Sequence, residues 1–78
     1  MITLDLHGRN VYQARVALRA ALKKATGADY RLRVVHGYHS GSALKDMVLE
    51  EAAAHPKVRR IEATANPGET VLVLREYV

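Results

Sequence analysis

The chain has no cysteine, no tryptophan and no phenylalanine. Without cysteine there is no disulfide to staple a small fold and no thiolate metal site, which fits a reducing compartment. Four tyrosines are the only aromatic residues. That argues against an RNA-binding sheet that stacks bases on an aromatic platform. No stretch approaches about 18 uninterrupted apolar residues, and the N-terminus carries no signal-peptide core. The expectation is a soluble, cytoplasmic protein with no membrane partner. Repeats, linkers and low-complexity tracts are also missing, so residues 1–78 read as one domain. A chain of this length buries roughly 60–65% of its unfolded surface, a real but thin core. Its formal charge of +4 suits a polyanionic partner such as nucleic acid, although many solubility-selected surfaces carry as much.

Hydrophobic periodicity predicts the order βαβαββ. Ile2–Leu6 alternates as a strand. Asn10 then stands as an N-cap, with Gln13 completing a variant capping box. Val11, Ala14, Leu18, Ala21, Leu22 and Ala25 recur at helical spacing, and Gly27 reads as the stop. Arg15, Arg19 and Lys23 line up along the outer face of this helix as a basic ridge, or simply as a solvated face. Arg31–His36 reads as a second strand, with Leu32, Val34 and His36 on one face and Arg31, Arg33 and Val35 on the other. Ser42 is placed to cap a second helix over Ala43–Ala54, which His55-Pro56 terminates. Leu44, Met47, Val48 and Ala52 are its buried stripe. Val58–Thr64 and Thr70–Tyr77 flank Asn66-Pro67-Gly68-Glu69, which is turn chemistry for an antiparallel hairpin. The first two strands, joined through a helix, should run parallel with a right-handed crossover. Two helices cover one face of a four-stranded mixed sheet, so an α/β two-layer sandwich (α+β) is expected. The uncovered face would carry Arg31, Arg33, Arg60 and Arg75.

Chemistry concentrates at two loops. In Thr3-Leu4-Asp5-Leu6-His7-Gly8, period two puts Asp5 and His7 on the same face at a strand end. A carboxylate beside an imidazole sets the tautomer and basicity of a proton-transfer group. The plain alternative is a solvated strand end. The second loop is His36-Gly37-Tyr38-His39-Ser40-Gly41. In a parallel βαβ unit both loops lie beyond the carboxyl ends of the strands, each entering a helix N-terminus. Free amides and the helix dipole favour an anion there. Gly8, Gly37 and Gly41 let backbone approach it, Arg9 adds a charge-assisted donor, and Ser40 and Ser42 add hydroxyls. Zinc held by His7, His36, His39 and Asp5 is a weaker reading, since no helical His-x-x-x-His pair or cysteine supports it.

Leu4-Asp5-Leu6-His7-Gly8 resembles the signature of the Smr (small MutS-related) domain. His36-Gly37, a glycine-containing loop and Ala43-Leu44-Lys45 resemble that family's second motif, and the final hairpin resembles its last two strands. The resemblance spans essentially the whole chain, and the expectation is a stand-alone domain with no attached mismatch-repair ATPase or helicase-like region. It implies a fold like the C-terminal domain of a translation initiation factor. It also implies nucleic-acid binding, with nicking endonuclease activity on DNA or RNA in several members. The family's acid and histidine would fall at Asp5 and His7, and its glycine loop at His36 and Gly37. Three departures stand out: His39 replaces the second glycine of a Gly-x-Gly run, the loop before Leu44 is one residue longer, and a Gly-Gly pair is reduced to Pro67-Gly68-Glu69.

The leading expectation is a phosphodiester-cleaving enzyme, metal-assisted or not, with His7 as general acid or base. Asp5 would orient His7 or hold Mg2+ or Mn2+, and His36 or His39 would protonate the leaving oxygen. Arg9, Arg31, Arg33 and the amides of residues 37–41 would bind phosphate. The alternative is a non-catalytic nucleic-acid or ribosome-associated module, its affinity supplied by the basic ridge and the arginine face. A small nucleotide binder is a third option, but the chain lacks the P-loop lysine motif and a full dinucleotide glycine fingerprint. The expected state is a monomer, or a weak homodimer through an exposed edge strand.

Overall fold

The structure, a computed structural model, describes residues 2–38 and 41–76. The elements are β1 (Ile2–Asp5), α1 (Val11–Lys24), β2 (Arg31–Val35), α2 (Ala43–Ala54), β3 (Arg60–Ala63) and β4 (Glu69–Val73). The sheet order is β1-β2-β4-β3. β1 and β2 are parallel, with Leu4 opposite Val34, and β3 and β4 form the expected antiparallel hairpin. The chain closes through an antiparallel β2–β4 pairing that sets Leu32 opposite Leu72 and Val34 opposite Thr70.

Strand parity then decides the layers. Leu6, Leu32, Val34 and Leu72 meet Ala14, Leu18 and Leu22 of α1 and Met47, Val48 and Ala52 of α2 in one aliphatic core. Both helices therefore cover the same face of the sheet, and the two-layer α+β sandwich is as expected. Among the described residues no helix is long and apolar enough to cross a membrane.

The helix ends depart from expectation in instructive ways. At its start α1 has the full capping box: Asn10 Oδ1 accepts from the Gln13 amide at 2.8 Å, and Gln13 Oε1 accepts from the Asn10 amide at 3.3 Å. At its end Gly27 is not the stop; the helix ends at Lys24, and Ala25 is its extended C-cap. The last carbonyls are instead served from a distance. Lys57 Nζ donates to the carbonyls of Leu22 (2.7 Å), Ala25 (2.9 Å) and Lys23 (3.1 Å), placing a cation at the negative end of the helix dipole. Ser42 sits at the N-cap of α2 but does not cap it; its hydroxyl donates to Asp46 Oδ2 at 3.0 Å.

The open face of the sheet is not a free arginine surface. Arg31 Nε donates to Glu62 Oε1 at 3.0 Å, Arg60 bridges Glu62 and Glu76, and Val71 and Val73 are buried beneath these side chains. Two apolar residues on that face explain the arrangement: the arginine stems cover them while the heads stay wet and paired. Arg75 does not belong to this face. Its Nη1 donates to the Gly27 carbonyl at 2.5 Å, and its guanidinium stands 5.8 Å from the centre of the Tyr30 ring. The basic ridge of α1 is likewise engaged, with Arg19 hydrogen-bonded and Arg15 close to Glu51 of α2.

Candidate nucleic-acid site

Leu6 is fully buried and its amide continues the parallel ladder to the Val35 carbonyl at 2.7 Å. The chain then reverses, as the Arg9 amide bonds the Leu6 carbonyl at 3.1 Å. Gly8, at φ +79°, occupies the third position of this turn, where a type II turn demands a positive φ. The turn lifts His7 out of the sheet into solvent. Its ring Nδ1 lies 2.5 Å from Asp5 Oδ1, and the same oxygen accepts the His7 amide at 3.1 Å. A carboxylate can only accept there, so Nδ1 carries the proton and Nε2 presents its lone pair outward. The pair is open to solvent, with 69% of the His7 side chain and 55% of the Asp5 side chain exposed. Hydrogen bonds from the His7 ring and then from its amide hold the Asp5 carboxyl below its ordinary value.

The second loop lies directly alongside. A Cβ placed on Gly37 would come 3.6 Å from the Cβ of His7. Gly37 and Gly41 have φ of +76° and +89°, so both need glycine's backbone freedom. Between the loops is a cleft of about 520 Å3, lined by His7, Gly8, Arg9 and Asn10 on one side and His36, Gly37, Tyr38 and Gly41 on the other. Val11, Ala43 and Leu44 complete the lining, so the first turns of both helices open on it. Among the described residues the capping box of α1 leaves the amides of Val11 and Tyr12 without partners, and no side chain caps α2. The failure of the expected Ser42 cap thus leaves donors at the place an anion would occupy.

His36 does not serve as a second exposed imidazole. Parity with Leu32 and Val34 turns it under the sheet, where it is only 4% exposed. Its Nδ1 lies 2.8 Å from the Gly37 carbonyl and its Nε2 2.9 Å from Thr70 Oγ1. The carbonyl requires a proton on Nδ1, so Nε2 accepts from the hydroxyl and neither nitrogen remains for a substrate. The shared face of Leu32, Val34 and His36 already carried this signal in the sequence.

Arg31 and Arg33 lie on the open sheet face, not in the cleft. Arg31 stands four residues back from the β2 tip, about 13 Å at ordinary strand rise. Arg33 is half-buried, and its Nε has no hydrogen-bond partner among the described residues. Ser42 is exposed and paired with Asp46. His39 and Ser40 lie outside the described residues. Among the described residues no three His, Asp or Glu side chains assemble as a metal cage. Among the described residues only Oδ1 of the Asp5 carboxylate is hydrogen-bonded.

Gly68, a turn residue by sequence and part of the run that replaces the family's Gly-Gly pair, also supports the site. Its carbonyl accepts the amides of His36 (2.9 Å) and Gly37 (3.0 Å), and it is buried against Gly37 and Tyr38. This support required the β2–β4 pairing, which brings the hairpin turn to the cleft.

An exposed imidazole–carboxylate pair beside a glycine-walled, amide-rich cleft on an α+β sandwich is an arrangement suited to an anion. The comparisons make the class specific. The Smr domain family model matches residues 4–74, and the chain belongs to the Smr domain family, a nucleic-acid-binding, nuclease-like module. The crystal structure of the Smr domain of Thermus thermophilus MutS2 superimposes with a TM-score of 0.84 at 29% identity, covering 97% of this chain and 100% of that one. No curated protein matches the chain by sequence.

Proposed function

We propose that the chain cleaves phosphodiester bonds in DNA or RNA as an endonuclease. The observation that carries this reading is the His7 ring, fixed by Asp5 with Nε2 outward, at the mouth of a cleft onto which two helix N-termini open. A phosphate in the cleft meets the amides of both helix starts and Arg9, which stabilise charge on its non-bridging oxygens. His7 Nε2 exchanges a proton with the attacking or the leaving oxygen. Water attacks phosphorus and gives up a proton as the P–O bond to the leaving oxygen breaks and that oxygen takes one up, so the products are a phosphomonoester end and a free hydroxyl. Asp5 holds the imidazole in the productive tautomer and stabilises its protonated form. His36 positions the Gly37 loop and does not touch the substrate. A divalent ion bound at Asp5 would add charge neutralisation at the same phosphate.

The alternative is a binding module, free or on a ribosome. It is favoured by His7 being the one imidazole of the described cleft with a ring nitrogen open to a substrate, while the pairing of Arg19, Arg31 and Arg60 with glutamates reduces the basic surface such a module would use. Purified wild-type protein, His7→Ala and Asp5→Asn are incubated with labelled DNA and RNA, with and without Mg2+ and Mn2+. Loss of the imidazole should reduce cleavage by about 100-fold or more while thermal stability changes little. Undiminished cleavage by His7→Ala sinks the mechanism. Salt-sensitive binding with no cleavage by the wild type selects the binding module.

A further inference from the structure

We propose that Tyr38 is a stacking surface for one unpaired nucleobase next to the phosphate in the cleft, so that single-stranded nucleic acid is the preferred substrate. The proposal rests on reading the cleft as a phosphate site. Tyr38 lines the cleft together with His7 and Arg9, whereas the other described tyrosines, Tyr12 and Tyr30, do not. It is 56% exposed, and among the described residues no aromatic ring contributes to the buried core. Gly37 alone separates it from His36, and Gly37 is the residue that abuts His7.

The ring is also braced. A Cβ on Gly68 would lie 3.2 Å from Tyr38 Cδ1, so the bare glycine makes room for the ring edge. Gly68 is itself pinned, its amide donating to Asn66 Oδ1 at 2.8 Å and its carbonyl holding the His36 and Gly37 amides. A ring supported in this way loses little freedom when a base settles on it. Stacking uses the face that every base has, so it carries little sequence preference. A paired base has its faces occupied by its duplex neighbours and offers none to the ring until it is unstacked. A single ring at a cleft differs from a sheet-wide aromatic platform, which this composition excludes.

Binding is measured by fluorescence anisotropy in the His7→Ala background, so that cleavage cannot consume the probe. The probes are a short labelled single strand, the same strand lacking its bases, and the matching duplex. Tyr38→Ala should weaken single-strand binding about 5- to 150-fold, the equivalent of one base–aromatic stack of about 1–3 kcal/mol. Tyr38→Phe should stay near the parent, because the ring face remains, and abasic and duplex probes should respond little to either change. Thermal unfolding of each variant confirms the fold. Equal single-strand affinity for the parent and Tyr38→Ala overturns the proposal, as does equal loss in Tyr38→Phe or on the duplex. Tyr38-dependent single-strand binding without any cleavage by the wild type supports the stacking role and removes the catalytic one. His7-dependent cleavage that ignores Tyr38→Ala and favours duplex does the reverse.

Discussion

Replacing His36 with alanine separates a positioning histidine from a catalytic one. The ring is nearly fully buried and joins the Gly37 carbonyl to the Thr70 hydroxyl across the β2–β4 pair. Its removal deletes two hydrogen bonds of about 0.5–1.5 kcal/mol each and strands a buried hydroxyl, at a further cost of about 1 kcal/mol or more. Lost ring packing adds to this, for a total of about 2–4 kcal/mol. At about 4–8 °C per kcal/mol for a domain of this size, the melting temperature should fall by roughly 8–32 °C. His36→Asn keeps an N–H within reach of the Gly37 carbonyl and should recover about half of the loss. Calorimetry or circular dichroism gives the melting temperatures, and cleavage is assayed well below them. The folded variant keeps the Asp5–His7 pair, so its rate should fall far less than that of His7→Ala. An unchanged melting temperature with cleavage lost as completely as in His7→Ala would refute the positioning role.

Three further outcomes follow from the same structure. Gly68→Ala forces a methyl group to within 3.2 Å of Tyr38 Cδ1 and 3.3 Å of Gly37 Cα. Overpacking of about 1–3 kcal/mol should appear in urea unfolding, together with weaker nucleic-acid binding. Lys57→Met removes the cation from the C-terminal carbonyls of α1 and should cost about 0.5–1.5 kcal/mol at low salt, less at high salt, with binding at the distant cleft unchanged. A loss of binding in this variant would contradict the assignment. Finally, Asp5, Glu51, Glu62 and Glu76 are all held below their ordinary carboxyl range, first by hydrogen bonds from His7, Arg19, Arg31 and Arg60 respectively. The unfolded chain therefore binds more protons in acid. These groups contribute stability above the ordinary value of 4.5 for glutamate and 3.8 for aspartate, and lose it as pH falls through their lower folded values. Urea midpoints should be level from neutral pH down to about 5 and then decline; midpoints that rise on acidification contradict the sign.

Local chemistry wrote most of the elements into the chain. The period of two over Ile2–Asp5, the Asn10–Gln13 box and the stripe Ala14, Leu18, Leu22 each act within a few residues, and each appears as expected. So do the bounds of α2; Asp5 and His7 also meet, but through the Leu6–Arg9 turn and not along a strand, because β1 ends at Asp5. What acts between distant segments was not legible in that way. Pairing β4 with β2 brings Gly68 beneath the cleft and Thr70 to His36, and no local pattern specifies which strand receives the hairpin. Tertiary packing likewise gave the end of α1 a lysine from beyond α2, and matched the arginines of the open face with Glu62 and Glu76. A helix end or a buried valine face must be satisfied, but sequence periodicity does not name the remote side chain that satisfies it.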